Sequence, residues 1–126
     1  MVAEIAGTRQ VITLTESLLV GVAADGEWHG FSHRKKGQFF CLDAATGKTL
    51  WLSEGRQGDN ASLVAAGGAI LALVTEGELI VFEAGGAAFK VLRRYTVADS
   101  PTWAHLAVVG DGILVKDAGS LAYLRF

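Results

Sequence analysis

Apolar residues along the chain fall in short runs of five or six, separated by glycine-containing turns. The turns recur about every ten residues, a spacing that suits strands joined by hairpins, and helical periodicity is nowhere sustained. The pattern predicts thirteen strands: Val2–Ala6, Gln10–Leu14, Leu18–Ala23, Trp28–Ser32, Gln38–Asp43, Thr49–Leu52, Ser62–Ala66, Ala69–Val74, Glu78–Phe82, Lys90–Thr96, Ala104–Val109, Ile113–Lys116 and Leu121–Leu124.

Some of these runs are apolar at every position instead of at alternate ones. The clearest is Ile70 to Val74, which reads Ile-Leu-Ala-Leu-Val. Because successive side chains of a strand point to opposite faces, a strand of this composition must be covered on both. We therefore predict an all-β fold in which sheets stack upon sheets.

One segment recurs three times: Gly37-Gln-Phe-Phe-Cys-Leu-Asp43, Gly77-Glu-Leu-Ile-Val-Phe-Glu83 and Gly119-Ser-Leu-Ala-Tyr-Leu-Arg125. The leading glycines lie 40 and 42 residues apart, and a period of about 40 to 45 residues with four strands per unit is typical of antiparallel β-propeller blades. A weaker copy begins at Glu16, only 21 residues before Gly37. The repeat predicts a single domain with approximate units 1–27, 28–57, 58–99 and 100–126, and about two strands missing between Gly26 and Gly37.

About three blade equivalents are fewer than the four that a closed ring normally needs. We therefore predict a partial propeller with unpaired sheet edges. The strand at Val2–Ala6 would complete the last sheet within one chain, or a second copy would do so, because unpaired edges attract partners. A small β-sandwich or a distorted barrel is the alternative fold.

Composition narrows the range of partners. The chain has 126 residues, 51% of them hydrophobic, which is enough for one packed domain. Its 11 Lys and Arg against 13 Asp and Glu give a net charge of −2, which argues against nucleic acid. The apolar stretches are too short or too interrupted by glycine to span a bilayer, and the first residues lack the features of a secretory signal. We expect neither nucleic-acid binding nor membrane insertion.

The segment Phe40-Cys-Leu-Asp-Ala-Ala-Thr-Gly-Lys-Thr-Leu-Trp51 resembles the blade motif A-x-D-x-x-T-G-x-x-x-W of pyrroloquinoline-quinone-type propellers. The matching positions are Asp43, Thr46, Gly47 and Trp51. The resemblance implies that the Asp and the Thr-Gly pair organise the turn between the third and fourth strands of a blade. It also implies that the tryptophan packs between adjacent blades.

The resemblance extends over nearly the whole chain, as about three blade equivalents similar to the C-terminal part of a longer propeller. Val22 to Trp28 looks like a shortened copy of the motif, so Trp28 is expected to pack between blades, as are Trp51 and Trp103. Propellers of this family are commonly exported, which suggests a periplasmic or secreted location.

The histidines and the cysteine are the first candidates for chemistry. His29 and His33 are four residues apart on a predicted strand, which places them about 13 Å apart, too far to hold one ion. Cys41 is the only cysteine and is expected to be a small buried residue in the place of the family's alanine. His105 lies in an alternating strand, either as a hydrogen-bonded, partly buried imidazole or as a pocket residue.

The one basic cluster in the sequence is Ser32-His33-Arg34-Lys35-Lys36-Gly37. Its length and terminal glycine favour a solvated hairpin turn, with an anion or partner contact as the alternative.

The sequence shows no catalytic motif. It has no phosphate-binding loop, no Cys-x-x-Cys pair and no nucleophile elbow, and Asp43, Asp111 and Asp117 occupy turn positions. Dehydrogenases of the resembling family use a complete ring, calcium, a catalytic Asp and often a vicinal Cys pair. We expect no catalytic residue, cofactor or metal, and a scaffold or protein-interaction module that associates with itself. The alternative is a remnant of a quinoprotein dehydrogenase-like enzyme.

Overall fold

The computed structural model describes residues 2–5, 8–11, 19–24 and 26–125. These residues form thirteen strands and one short 3-10 turn at Arg34–Lys36. The strands are β1 (Val2–Ile5), β2 (Thr8–Val11), β3 (Leu19–Ala24), β4 (Glu27–Ser32), β5 (Gln38–Asp43), β6 (Thr49–Leu52), β7 (Ala61–Ala66), β8 (Ala69–Val74), β9 (Glu78–Glu83), β10 (Val91–Thr96), β11 (Ala107–Val109), β12 (Gly112–Lys116) and β13 (Leu121–Arg125). The all-β prediction is confirmed.

Three antiparallel sheets follow one another along the chain. Sheet I contains β3 to β6, sheet II contains β7 to β10 and sheet III contains β11 to β13. In each sheet every strand pairs with its neighbour in sequence, so each sheet is a meander. Two of the meanders have the four strands of a propeller blade, and sheet III has three.

The predicted strands correspond to the observed ones, with two clear differences. The strand expected from Gln10 begins at Thr8. The strand expected from Ala104 begins at Ala107. The preceding residues bond to sheet II instead of to β12, because the Thr102 hydroxyl donates to the Val74 carbonyl at 2.7 Å and the Leu106 amide donates to Ser62 Oγ at 3.3 Å. The expected strand ends at Ala6, Ile12 to Leu14 and Leu18 lie outside the described residues.

The sheets do not follow the first predicted unit boundary. The turn at Gly26 joins β3 to β4 inside sheet I, where Ala24 pairs with Glu27. No strands are therefore missing between Gly26 and Gly37. The spacing of half a repeat arises because β3 is the first strand of a blade, whereas Gly37 precedes the third. Glu16, where the weaker copy begins, lies outside the described residues.

Sheet II lies between the other two and is covered on both faces. On one face Ile70, Ala72 and Val74 belong to a core shared with Phe31 and Phe39 of sheet I. On the other face the alternate residues of β8 belong to a second core, which includes β12 of sheet III. The continuous apolar run in β8 is thus explained by two sheet interfaces, as its composition predicted.

The first two of the three recurring glycines bond to the linker that follows their sheet. Gly37 has φ of +104° and Gly77 has φ of +86°, values that favour glycine. The Gly37 carbonyl accepts from the Gln57 amide at 3.0 Å, and the Gly77 carbonyl accepts from the Val97 amide at 2.9 Å. Gly119 makes no comparable approach, since an added Cβ there would meet nothing within 4 Å.

The N-terminal strand does not close sheet III in the described structure. β1 pairs with β2, with Val2 opposite Val11 and Ile5 opposite Thr8. Among the described strands, β13 pairs with β12 alone and keeps one edge open. The closure within one chain expected through Val2–Ala6 is therefore wrong for the residues described. Within the same residues, no helix is long and apolar enough to cross a membrane.

Candidate functional site

The turn between β5 and β6 is built by the side chains of the sequence motif. Asp43 Oδ1 accepts from the amides of Ala45 at 2.8 Å and Thr46 at 3.0 Å. Thr46 Oγ1 accepts from the Lys48 amide at 3.2 Å, and Gly47 supplies a φ of +74°. These bonds satisfy backbone donors of the turn, so β6 begins in a defined register relative to β5.

Trp51 of β6 reaches across to sheet II. It is 8% exposed, and its Nε1 donates to the Gly85 carbonyl at 2.7 Å. The amide of the same Gly85 donates to His29 Nε2 at 3.0 Å. The backbone of one residue in the β9–β10 connection of sheet II is thus held by two side chains of sheet I. We call this arrangement the His29–Gly85–Trp51 bridge.

Aromatic rings surround this bridge. The centroid of the Trp51 ring lies 5.9 Å from that of Phe82 and 5.4 Å from that of Phe89. Phe39 of β5 lies 5.2 Å from Phe82 and 5.6 Å from Phe89. The polar contacts of the bridge are therefore made beside an apolar interface, where hydrogen bonds are poorly screened by water.

The other two tryptophans do not lie between sheets I and II. Trp28 pairs with Leu42 and is adjacent to His29, so it lies on the opposite face of sheet I, where its indole covers Gly21. Trp103 is 69% exposed in the segment before β11. The predicted inter-blade packing is wrong for Trp103, because its segment bonds to sheet II through its backbone and through Thr102.

Three metal-ligating side chains meet on the face of sheet I that carries Trp51. His29 pairs with Cys41 across β4 and β5, and Glu27 lies two residues before His29 on the same face. One donor atom from each of the three lies within 4.8 Å of the others. We call Glu27, His29 and Cys41 the donor cluster.

The donor cluster lies in the sheet I–sheet II junction and is screened from water. His29 and Cys41 are fully buried, and Glu27 Oε2 is buried without a hydrogen-bond partner among the described atoms. Burial, and then the charges of Glu27 and Asp43, raise the pKa of the Cys41 thiol to about 12. The thiol is therefore protonated at neutral pH and is not an activated nucleophile.

The basic cluster forms an exposed 3-10 turn between β4 and β5. His33, Arg34 and Lys35 are exposed, and the Lys35 carbonyl accepts from the Arg56 amide at 2.8 Å. The backbone of the turn thus holds the linker between sheets I and II. The residues that carry its cationic side chains are exposed, and a contact with an anion or a partner stays a prediction.

His105 lies beside a small cavity. The cavity has a volume of about 140 Å³ and is lined by Asn60, Ala61, Ser62, Thr75, Thr102, Trp103 and His105. This volume is below the roughly 300 Å³ of an ordinary small-molecule site. His105 Nδ1 lies 2.9 Å from the Leu106 carbonyl, so the imidazole has a local partner.

Both ends of the stack of three sheets expose apolar side chains. Leu52 pairs with Phe40 on the face of sheet I opposite to Cys41 and is 58% exposed, whereas Phe40 and Leu42 on the same face are buried. On sheet III, Leu121 and Tyr123 lie on the face opposite to Val115, and Leu121 is 66% exposed. We call these two surfaces the outer faces.

Comparison with known proteins defines the class of fold. No protein-family model matches the sequence, and no curated protein matches it. The computationally designed Ika4 protein is similar in structure, with 16% identity and a TM-score of 0.66 over 83% of this chain and 63% of that one. BamB from Moraxella catarrhalis is 18% identical with a TM-score of 0.62, over 83% and 30% of the two chains. A europium-containing methanol dehydrogenase is 17% identical with a TM-score of 0.61, over 81% and 21%.

These neighbours are β-propeller proteins, and the three sheets described here are blades of a partial propeller. At such identities the likeness shows the fold alone. The chain spans less than two-thirds of the length of each of these proteins.

The donor cluster is the part of the site that the sequence did not indicate. In the sequence the nearest histidine to His29 is His33, four residues away, but His33 lies beyond the end of β4 at Ser32. The partner of His29 is Cys41, twelve residues away across a hairpin. The signal in the sequence is the register of the β4–β5 hairpin: a turn over residues 33–37 places residues 29 and 41 opposite each other.

Proposed function

We propose that this chain is a non-catalytic β-propeller scaffold that associates with further copies of itself. The observation that supports the proposal is the exposed apolar side chains on the outer faces, Leu121 and Tyr123 on sheet III and Leu52 on sheet I. Exposed apolar patches of this kind are typical of protein–protein contacts. The pyrroloquinoline-quinone-type repeat and the single-domain organisation are part of the same proposal, supported by the Asp43 turn and by Trp51.

The sheets suggest how copies would meet. Sheet I packs on sheet II, and sheet II packs on sheet III, each time through one face of each sheet. The next contact in this series joins the outer face of sheet III to the outer face of sheet I in a second copy. Such a head-to-tail contact is heterologous and generates a ring when the rotation closes. Propellers typically have four to eight blades, so added copies would supply the sheets that a ring needs.

Leu121→Lys is expected to dissociate the assembly, because it places a charge on the exposed apolar face of sheet III beside an open edge. Wild-type protein should scatter light with a mass of two or more chains, and the variant should scatter as one chain at the same concentration. Leu92→Lys is the matched control, since Leu92 is exposed on the outermost strand of sheet II and should leave the mass unchanged. A wild-type mass of one chain across the accessible concentration range would refute self-association.

The non-catalytic part of the proposal is supported by the state of the acidic and thiol groups. Hydrogen bonds from Arg125 and Tyr123 lower the pKa of Asp111, and bonds from Ser120 and Gly119 lower that of Asp117. Both carboxylates are therefore ionised and engaged in local structure, and Cys41 is protonated. Addition of pyrroloquinoline quinone and calcium is expected to give no change in quinone absorbance and no alcohol-dependent dye reduction. Dye reduction that requires the quinone, calcium and alcohol together would favour the dehydrogenase-like alternative.

A further inference from the structure

We propose that Glu27, His29 and Cys41 form a binding site for a borderline-soft divalent cation of the Zn²⁺ class. The proposal goes beyond the scaffold function and does not depend on it. A carboxylate, an imidazole and a thiol are the three side-chain types that Zn²⁺ takes in proteins. Here they come from two adjacent strands whose register sets His29 directly opposite Cys41.

The distances require only a small contraction. The three donor atoms lie within 4.8 Å of one another, whereas ligands at 2.0 to 2.3 Å from a tetrahedral ion are about 3.5 Å apart. β4 and β5 are central strands of sheet I and hold the positions of His29 and Cys41. Glu27 is half-buried at the start of β4, so its longer side chain is the ligand that moves. An ion would enter the site past this side chain. Three protein ligands leave a fourth position for water.

The charges also match. A carboxylate and a thiolate with a neutral imidazole carry two negative charges, which a divalent cation neutralises. Glu27 Oε2 is buried without a hydrogen-bond partner among the described atoms, and desolvation of such an oxygen is costly unless it is compensated. On binding, the thiol proton passes to solvent and the sulfur–metal bond replaces the S–H bond.

Binding has a consequence for the contact between sheets I and II. His29 Nε2 accepts from the Gly85 amide, so it carries no proton. In a metal-bound histidine one nitrogen ligates and the other donates a hydrogen bond, and an Nε2 in either role no longer accepts from Gly85. Metal binding is therefore expected to break the hydrogen bond from the Gly85 amide to His29, while the hydrogen bond from Trp51 to the Gly85 carbonyl remains.

Cobalt is a suitable spectroscopic probe. Titration of the reduced chain with Co²⁺ should produce a thiolate-to-cobalt charge-transfer absorption that saturates at one ion per chain and is displaced by Zn²⁺. Cys41→Ala should abolish this absorption, and Glu27→Gln should weaken Co²⁺ binding at least tenfold. Glu54→Gln makes the same chemical change at an exposed carboxylate and should bind as wild type does. On addition of Zn²⁺, the NMR resonance of the Gly85 amide should shift in the wild type and stay unchanged in Cys41→Ala.

Three results would overturn the site. They are no charge-transfer absorption in folded wild-type protein, equal binding by Glu27→Gln and wild type, and loss of binding in a His33→Gln/His105→Gln variant that retains the donor cluster. The last result would assign binding to the exposed histidines. Far-ultraviolet circular dichroism of each variant shows whether it is folded, and Glu27→Gln keeps the test decisive if Cys41→Ala unfolds.

Discussion

Trp51→Ala is expected to lower the free energy of unfolding by about 3–5 kcal/mol, the usual cost of removing a large buried aromatic side chain. The indole is nearly buried and contacts Phe82 of β9 and Phe89 of the β9–β10 connection. Its loss leaves a cavity at a sheet interface and also removes the hydrogen bond to the Gly85 carbonyl. Urea denaturation followed by circular dichroism measures the loss without relying on tryptophan fluorescence.

Two further variants separate the causes. Trp51→Phe keeps most of the ring contact and removes the indole N–H, so about 1–3 kcal/mol should be lost through the unpaired Gly85 carbonyl. Trp103→Ala removes the same side chain from an exposed position and should change stability by about 0.5 kcal/mol or less. Equal losses at Trp51 and Trp103 would show that Trp51 does not join the two sheets.

The sequence predicted those features that depend on local chemistry or on side-chain periodicity. The Asp43 turn was predictable because its hydrogen bonds reach only two or three residues along the chain. The burial of β8 on both faces was predictable because a strand without polar residues has no face to expose. The existence of strands was likewise predictable, since each is bounded by its own turn.

The features that the sequence did not reveal depend on long-range pairing. His29 bonds to Gly85, 56 residues away, and which face of sheet I turns toward sheet II decides this contact. The same choice of face separates Trp51 from Trp28, although both are aromatic residues of sheet I. The sequence predicted an unpaired edge but left open whether Val2–Ala6 or a second copy completes the last sheet. β1 pairs with β2 instead of β13, and this local pairing needs no long loop to be closed.

Gly37→Ala is expected to lower the free energy of unfolding by roughly 2–5 kcal/mol, because it combines two costs. The φ of +104° disfavours any residue with a Cβ, by about 1–2 kcal/mol. A methyl group would also overlap the Gly58 backbone, with the Gly58 nitrogen at 2.7 Å, and overpacking costs about 1–3 kcal/mol. Urea denaturation measures the sum.

The repeat itself provides the matched controls for this prediction. Gly77→Ala meets the Ala98 backbone in the equivalent place and should be similarly destabilising, whereas Gly119→Ala meets nothing within 4 Å and should change stability by about 0.5 kcal/mol or less. Gly67 has a φ of +55° and open space around it, so the stability that Gly67→Ala loses measures the backbone cost alone. If Gly37→Ala loses no more stability than Gly67→Ala, the close approach of the linker to the turn adds nothing to the cost of the substitution. A larger loss of stability at Gly37 and Gly77 than at Gly67 means that the recurring glycine lets the linker to the next sheet pack closely against the turn. Gly119 lacks this role because, within the described residues, no linker packs on it.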